Sequence, residues 1–377
     1  MFDYETRRKS LYERMANLGV DLVFLPPSGD LEYLTGFKRR VPAFGNIEYA
    51  HSWVTGCFLA PDREPAFVLP RMVVAFDTPD GLIGDVTIVA ETDDSDAAFR
   101  RVAQSFGAVS RLGIGARAWA DTTAALLALL GSCELVSADR LVNPMRRVKS
   151  SDELERMAKA CRIVDETLAL VSPSVRAGTT ELEIARDVDF HMRELGSVVP
   201  SFDTGVFSMG AASERDASVR LSAGRLVPGM GVSFDFGAVV DGYCSDFGRT
   251  IHVGTPSREY ERVYEVVMAA QAAGIAAARP GVRASAVHAA TRQVIVEAGL
   301  GEWFRHRTGH CIGLDVHERP FISEEDDTPL EPGMTFTIEP SVFRPGRYGV
   351  RVEDVVVCAL SGSRKLNEYP VTLVANG

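Results

Sequence analysis

The chain has 377 residues with 51 acidic against 40 basic side chains and a formal net charge of −11, which excludes nucleic acid or an anionic membrane surface as the main partner. That length exceeds one hydrophobic core and calls for two domains, and 46% hydrophobic with 24% charged residues exclude a disordered chain. The N-terminus, MFDYETRRKS, lacks the apolar core of a signal peptide, no run of about 18 apolar residues occurs, and the six cysteines are scattered without a C-x-x-C pair, so free thiols and a cytoplasmic location are expected.

Residues 1–145 read as an α/β domain. Leu11, Met15 and Leu18 fit a helix from Tyr4 to Leu18. Strands are predicted at 20–25, 53–59, 66–69, 86–90, 112–115 and 135–138, with helices at 95–106 and 122–130 between several of them. No glycine-rich phosphate loop opens these helices, and Gly113-x-Gly115 alone is too weak to assign nucleotide chemistry. Leu141 to Ser151, LVNPMRRVKSS, combines a proline with a basic cluster and reads as a linker, with the second domain spanning residues 146–377.

Ser150-x-x-Glu153 is a capping box, followed at helical spacing by Leu154, Met157, Ala158, Cys161, Val164 and Leu168. Thr180-x-x-Glu183 opens a second helix, on which His191 reads as a packed or surface residue. After the stretch 233–254 come helices at 259–277 and 284–297, parted by Pro280-Gly281; His288 on the second reads as structural. Helix, helix, strands, then the same again, predicts a duplicated α+β topology.

Within 233–254, SFDFGAVVDGYCSDFGRTIHVG, Asp241-Gly242 is a two-residue hairpin signal. Pairing about it sets Val240 against Tyr243 and Asp235 against Gly248, so Asp235 and Asp246 share a face. Aspartate is rare in strands and costly on a half-buried face; taken alone, this is either a solvated face or one that binds cations. Further on, FRHRTGHCIGLDVHERP places three of the chain's seven histidines, His306, His310 and His317, in one loop leading to a strand. Residues 334–357 then repeat the hairpin arrangement. Pairing about Gly346 brings Glu339 opposite Glu353, although an ion pair with Arg351 is an alternative use for Glu353. Four carboxylates carry about −4 and two divalent ions about +4, so a dinuclear centre balances a cluster that repels itself when empty. Oxygen ligands with one imidazole suit Mn, Fe, Co or Zn, and the lack of thiolates argues against a structural zinc site. Such a pair of ions is equipped for metal-assisted hydrolysis.

These blocks resemble those of the pita-bread metallopeptidases, the family of prolidases, aminopeptidase P, methionine aminopeptidase and the metal-free creatinases. The resemblance rests on Asp235 and Asp246 with Gly242-Tyr243-x-Ser245-Asp246, on Thr308-Gly309-His310 with Val316-His317-Glu318, and on Glu339-Pro340 and Arg351-x-Glu353-Asp354. It reaches the front domain through Tyr33-Leu34-Thr35-Gly36-Phe37 and the linker Lys149-Ser150-x-x-Glu153. It implies an α/β front domain and an α+β pita-bread domain with an antiparallel sheet covered by helices. It also implies two divalent ions, Mn foremost: Asp235 on one, Asp246 and Glu353 bridging, His310 and Glu339 on the other. Glu339 would shuttle the proton of the nucleophilic water, His317 would stabilise the oxyanion, and His306 would contact substrate beyond the scissile bond. Tyr243 and Arg351 would support the ligands, and Arg319 is a candidate contact to a substrate carboxylate. A homodimer is the common assembly of such relatives.

Five positions depart from the pattern. Ser218 stands where a substrate-binding histidine is usual and Gly248 where threonine is. Cys311 replaces a glycine, and Ser341 and Phe343 replace Gly and Tyr after Glu339-Pro340. The expected activity is hydrolysis of the peptide bond before proline in a small peptide, by a dipeptidase or aminopeptidase. The alternatives are a metal-dependent hydrolase of a non-peptide C–N bond, resembling ectoine hydrolases, and a non-catalytic peptide-binding member of the fold.

Overall fold

The computed structural model describes residues 2–39, 49–131 and 133–377 and divides into two units, Met1–Arg146 and Arg147–Gly377. No helix among the described residues is long and apolar enough to cross a membrane.

In the first unit, six strands form one sheet in the order Asp85–Val89, Ala66–Pro70, Gly56–Leu59, Leu22–Leu25, Arg111–Ile114, Glu134–Ser137. Leu22–Leu25 is buried throughout, parallel to Arg111–Ile114 and antiparallel to Gly56–Leu59. The apolar run thus becomes a central strand, as covered sheets require. Phe24, Phe58 and Phe99 meet in this core with ring centroids 4.8 to 5.6 Å apart, the range of favourable aromatic pairs. The helix Tyr4–Leu18 starts where Asp3 accepts a hydrogen bond from the Thr6 N–H and stops at Gly19, which takes the left-handed conformation.

Two expectations for this unit are corrected. Trp53 and Val54 belong to a 3-10 turn, Ser52–Val54, and the strand begins only at Gly56. Leu141–Arg146, read as linker, lies in the helix Asp139–Arg146, which buried Leu141 and Val142 hold in place despite Pro144. The helices Gly29–Thr35 and Arg71–Phe76 escaped because six or seven residues are too few to display a period.

The second unit repeats one plan. Both capping boxes form, at the starts of Ser151–Val171 and Glu181–Glu194. These helices bury Val164, Leu168, Ile184 and Val188 against Val206, Phe234 and Phe247. The strands beneath run in the order Val374–Asn376, Phe247–Val253, Gly231–Phe236, Gly205–Met209. The second helix pair, Arg258–Ala277 and Ala284–Glu297, covers a five-stranded sheet ordered Glu318–Ile322, Gly309–Cys311, Thr335–Ile338, Asp354–Ala359, Gly362–Lys365. The two helices cross closely at Gly274, where a Cβ would lie 2.3 Å from Thr291 Oγ1.

Register places the acidic residues. Asp241 and Gly242 both take positive φ, 49° and 87°, as a type I′ turn demands, and Val240 pairs with Tyr243. Asp235 pairs with Gly248. In the second hairpin Ser341 pairs with Arg351 and Ile338 with Asp354, one register carried past Glu339 and Pro340. Glu353 leaves this ladder and donates its N–H to Gly248 O at 2.8 Å, which joins the two hairpins.

Candidate metal centre

That bridge gathers side chains from both halves of the second unit. Asp235, Asp246 and Glu353, all buried, each offer an oxygen within 4.8 Å of the others. His310 Nε2 lies 3.3 Å from Asp246 Oδ2 and 3.5 Å from Glu339 Oε1. Its Nδ1–H donates to Cys311 O at 3.1 Å; this bond fixes the tautomer and turns the Nε2 lone pair toward the carboxylates. Thr337 Oγ1 donates to Glu339 Oε1 at 3.2 Å and accepts from the His310 N–H.

The charges are arranged unevenly. Burial pushes Asp246 up to about 7, with the Asp235 charge adding to the effect. Burial, Asp246 and Glu339 likewise raise Glu353 well above the carboxylate range, and burial raises Glu339. Asp235 goes the other way. Burial would raise it, but the guanidiniums of Arg351 and Arg220 outweigh that and hold it low. Both donate to Asp235 Oδ2. Arg351 also lies 3.6 Å from Glu353 Oε2 and 4.0 Å from Glu339 Oε2, with the Phe343 ring 5.7 Å from its guanidinium.

Two buried carboxylate oxygens, Asp246 Oδ1 and Glu353 Oε2, have no hydrogen-bond partner. Buried acceptors without partners are rare and costly. Oxygen-rich donors around one imidazole, with oxygens left over, fit divalent cations.

The remaining site histidines are neutral at physiological pH. Burial lowers His306 to about 3 and His317 to about 4. His317 packs against His310 with ring centroids 4.2 Å apart and the rings tilted by 53°. His306 donates from Nδ1 to Arg307 O at 2.7 Å, and its Nε2 accepts from the Ser341 hydroxyl at 2.5 Å; its ring lies 4.0 Å from Glu339 Oε2. Arg319 is exposed on its strand, with its guanidinium 5.4 Å from the Phe321 ring centroid. Tyr243 is buried and donates to Glu153 Oε1, the capping-box carboxylate, at 2.8 Å.

Sequence reasoning missed Arg220, which comes from an irregular segment with no periodic pattern; its only signal was a lone arginine two residues beyond Ser218. Ser218 itself is exposed, its N–H bonded to Asp216 Oδ1, and Asp216 pairs with Arg305 at 2.8 Å. His288, read as structural, is buried and bonds through Nδ1 to Thr308 Oγ1, while His191 pairs with Glu194 on the surface.

Known proteins share this arrangement of domains. Residues 155–359 match the model of metallopeptidase family M24, and residues 7–148 that of the creatinase/prolidase N-terminal domain. A probable dipeptidase of Mycobacterium tuberculosis is 34% identical over 95% of this chain and 93% of its own. An Xaa-Pro dipeptidase of Pyrococcus horikoshii is 37% identical over 64% of this chain and 68% of its own. The crystal structure of a recombinant prolidase from Thermococcus sibiricus superposes with a TM-score of 0.89 at 28% identity, covering all of both chains. The chain belongs to metallopeptidase family M24, with the pita-bread catalytic domain preceded by a creatinase/prolidase N-terminal domain.

Proposed function

We propose that this protein is a dinuclear-metal peptidase that cleaves the bond preceding proline in dipeptides or short peptides. The observation that supports this most is the buried cluster of Asp235, Asp246 and Glu353, joined through Asp246 to His310 Nε2 and Glu339, with two orphaned oxygens in it. Asp235, Asp246, His310, Glu339 and Glu353 would hold the ions, Mn foremost and Co, Zn or Fe as alternatives. When bound, the ions supply a hydroxide nucleophile and Lewis-acid polarisation of the scissile carbonyl.

The chain's own groups do the rest. Glu339, raised in pKa by burial, is suited to take the water proton at a carboxylate oxygen and pass it to the leaving nitrogen. On cleavage the proline nitrogen becomes a secondary amine, and the proton it gains is the one that Glu339 took from the water. His317, neutral and beside His310, offers a ring N–H to the developing oxyanion. His306, between Glu339 and Ser341, contacts the residue on the leaving side. Arg351 orients Asp235 and offsets part of the ring's negative charge.

The test is hydrolysis of a panel of Xaa-Pro dipeptides and Xaa-Pro-Yaa tripeptides with added Mn. Turnover of these and not of Ala-Ala is expected. Turnover of cyclic amidines with none of any Xaa-Pro peptide would replace this reading with the C–N hydrolase one. The departures at Ser218 and Gly248 are the observation that favours keeping that second reading in the panel.

A further inference from the structure

The segment Lys149-Ser150-x-x-Glu153 is anchored on the sheet that carries the site. Val148 bridges Met334, and the Lys149 N–H donates to Gly333 O at 2.9 Å, just before the strand Thr335–Ile338 that leads to Glu339. From this fixed backbone the Lys149 ammonium pairs with Glu318 Oε2 at 2.8 Å, with 1% and 3% of the two side chains exposed. Four residues on, Glu153 accepts from the Tyr243 hydroxyl. One short segment thus grips both the chain beside His317 and the hairpin of Asp235 and Asp246.

Glu318 directly follows His317 and ends an excursion of the chain. Ile312 is still held to the sheet, its N–H on Thr335 O at 3.1 Å, and the backbone returns where Glu318 pairs with Cys311. Residues 313–317 between them belong to no strand. Gly313 O accepts from the Cys244 N–H at 2.8 Å, Glu318 Oε1 accepts from the Asp315 N–H at 3.2 Å, and Lys149 holds the other Glu318 oxygen. Gly313 has to be bare, since a Cβ there would lie 2.8 Å from both Lys149 Cε and Glu318 Oε1. Among the described residues the His317 ring packs on His310 and takes no hydrogen bond, so its place depends on the backbone that carries it.

A buried ion pair adds little net stability, and apolar residues of like volume often serve as well. What it adds here is direction, because a carboxylate held at both oxygens fixes the orientation of the chain it ends as well as its place. We propose that Lys149 is a positioning residue: through its grip on Glu318 it fixes the loop 313–317 and sets the His317 ring beside His310, where a ring N–H can meet the oxyanion. This rests on the peptidase reading above for what His317 does there. Lys149 itself touches neither the metal-binding carboxylates nor the substrate; it acts through Glu318.

The experiment removes both charges together, in the double variant Lys149→Met with Glu318→Gln, because a single change leaves one buried charge uncompensated and endangers the fold. Bound Mn and the melting temperature check that the double variant is folded. With Ala-Pro as substrate and Mn loaded, its kcat should fall by about 10- to 100-fold, less than the full loss of an oxyanion donor costs, while KM stays within a few-fold. Made in a His317→Ala background, the same pair of changes should lower kcat by less than about threefold, since the group it positions is already gone. NMR of the histidine ring nitrogens in the metal-free protein should show the His317 signals displaced in the double variant and those of His191, on the surface, unmoved. A double variant with wild-type kcat, an equal loss in the His317→Ala background, or unmoved His317 signals would overturn the inference. If the wild type cleaves no Xaa-Pro peptide, the peptidase reading falls, and the ring signals alone decide whether Lys149 positions His317: displaced signals uphold that role and unmoved ones overturn it.

Discussion

Gly248 leaves the space that Arg351 fills. A Cβ at Gly248 would lie 2.6 Å from Arg351 Cδ and 2.7 Å from Glu353 Oε2, closer than side-chain atoms can approach. The residue opposite Asp235 is therefore small because a guanidinium from the second hairpin must pass it to reach Asp235. Gly248→Ala should displace Arg351 or Glu353 and destabilise the unit by about 1–3 kcal/mol, as overpacking does. Mn affinity should fall with it. Calorimetric titration checks this, and an alanine variant with wild-type affinity would show that Arg351 has room elsewhere.

Arg220 shares Asp235 Oδ2 with Arg351 but is half exposed where Arg351 is buried. A cation drawn to Asp235 has to compete with it. Arg220→Gln keeps the length and removes the charge, so Mn binding should tighten by about 3- to 10-fold, the worth of one partly screened charge contact. Weaker binding in this variant would mean that Arg220 positions Asp235 rather than opposing the ion.

Metal binding should be strongly pH-dependent. Asp246 is pushed from its ordinary 3.8 up to about 7 in the metal-free fold, so below pH 7 it holds a proton that the ion must displace. The signs are opposite for the two forms. For the metal-free protein, a raised carboxyl pKa gives stability that is full below about pH 4 and is lost as pH rises to about 7. For the metal complex, affinity should rise up to about tenfold per pH unit for each proton released, levelling off above 7. Titrations at pH 6 in buffers of different ionisation enthalpy should count at least one proton released. A count of zero would contradict the shift.

Ser341 ties up His306. Its hydroxyl donates to Nε2 at 2.5 Å while Nδ1 is held by Arg307 O, so Nε2 reaches a substrate only by giving up the Ser341 bond. Ser341→Gly should release Nε2 and lower KM for Xaa-Pro dipeptides by about fivefold, one hydrogen bond's worth. An unchanged KM would place His306 outside the substrate contacts.

The hairpin registers were legible because turn chemistry is local. Asp241-Gly242 and Gly346 fix the pairings that set Asp235 against Gly248 and keep one register on either side of Glu339 and Glu353. Long helices were legible through their period and capping boxes. The helix over Leu141–Arg146 was not, since Pro144 masks a short segment that only burial of Leu141 and Val142 stabilises. Within the site, Arg220 showed only as a lone arginine two residues beyond Ser218, because what brings it to Asp235 is the path of an irregular segment.

The proposed function requires the buried carboxylate ring to hold metal ions that hydrolyse Xaa-Pro bonds. The most direct measurement is metal content together with Ala-Pro hydrolysis for the wild type and Asp246→Ala, both purified and then supplied with Mn. About two equivalents of Mn and measurable turnover are expected for the wild type, with loss of at least one equivalent and of about a thousandfold or more in kcat for Asp246→Ala. A wild type that binds no Mn, or an Asp246→Ala variant that turns over Ala-Pro as fast as the wild type, would contradict it.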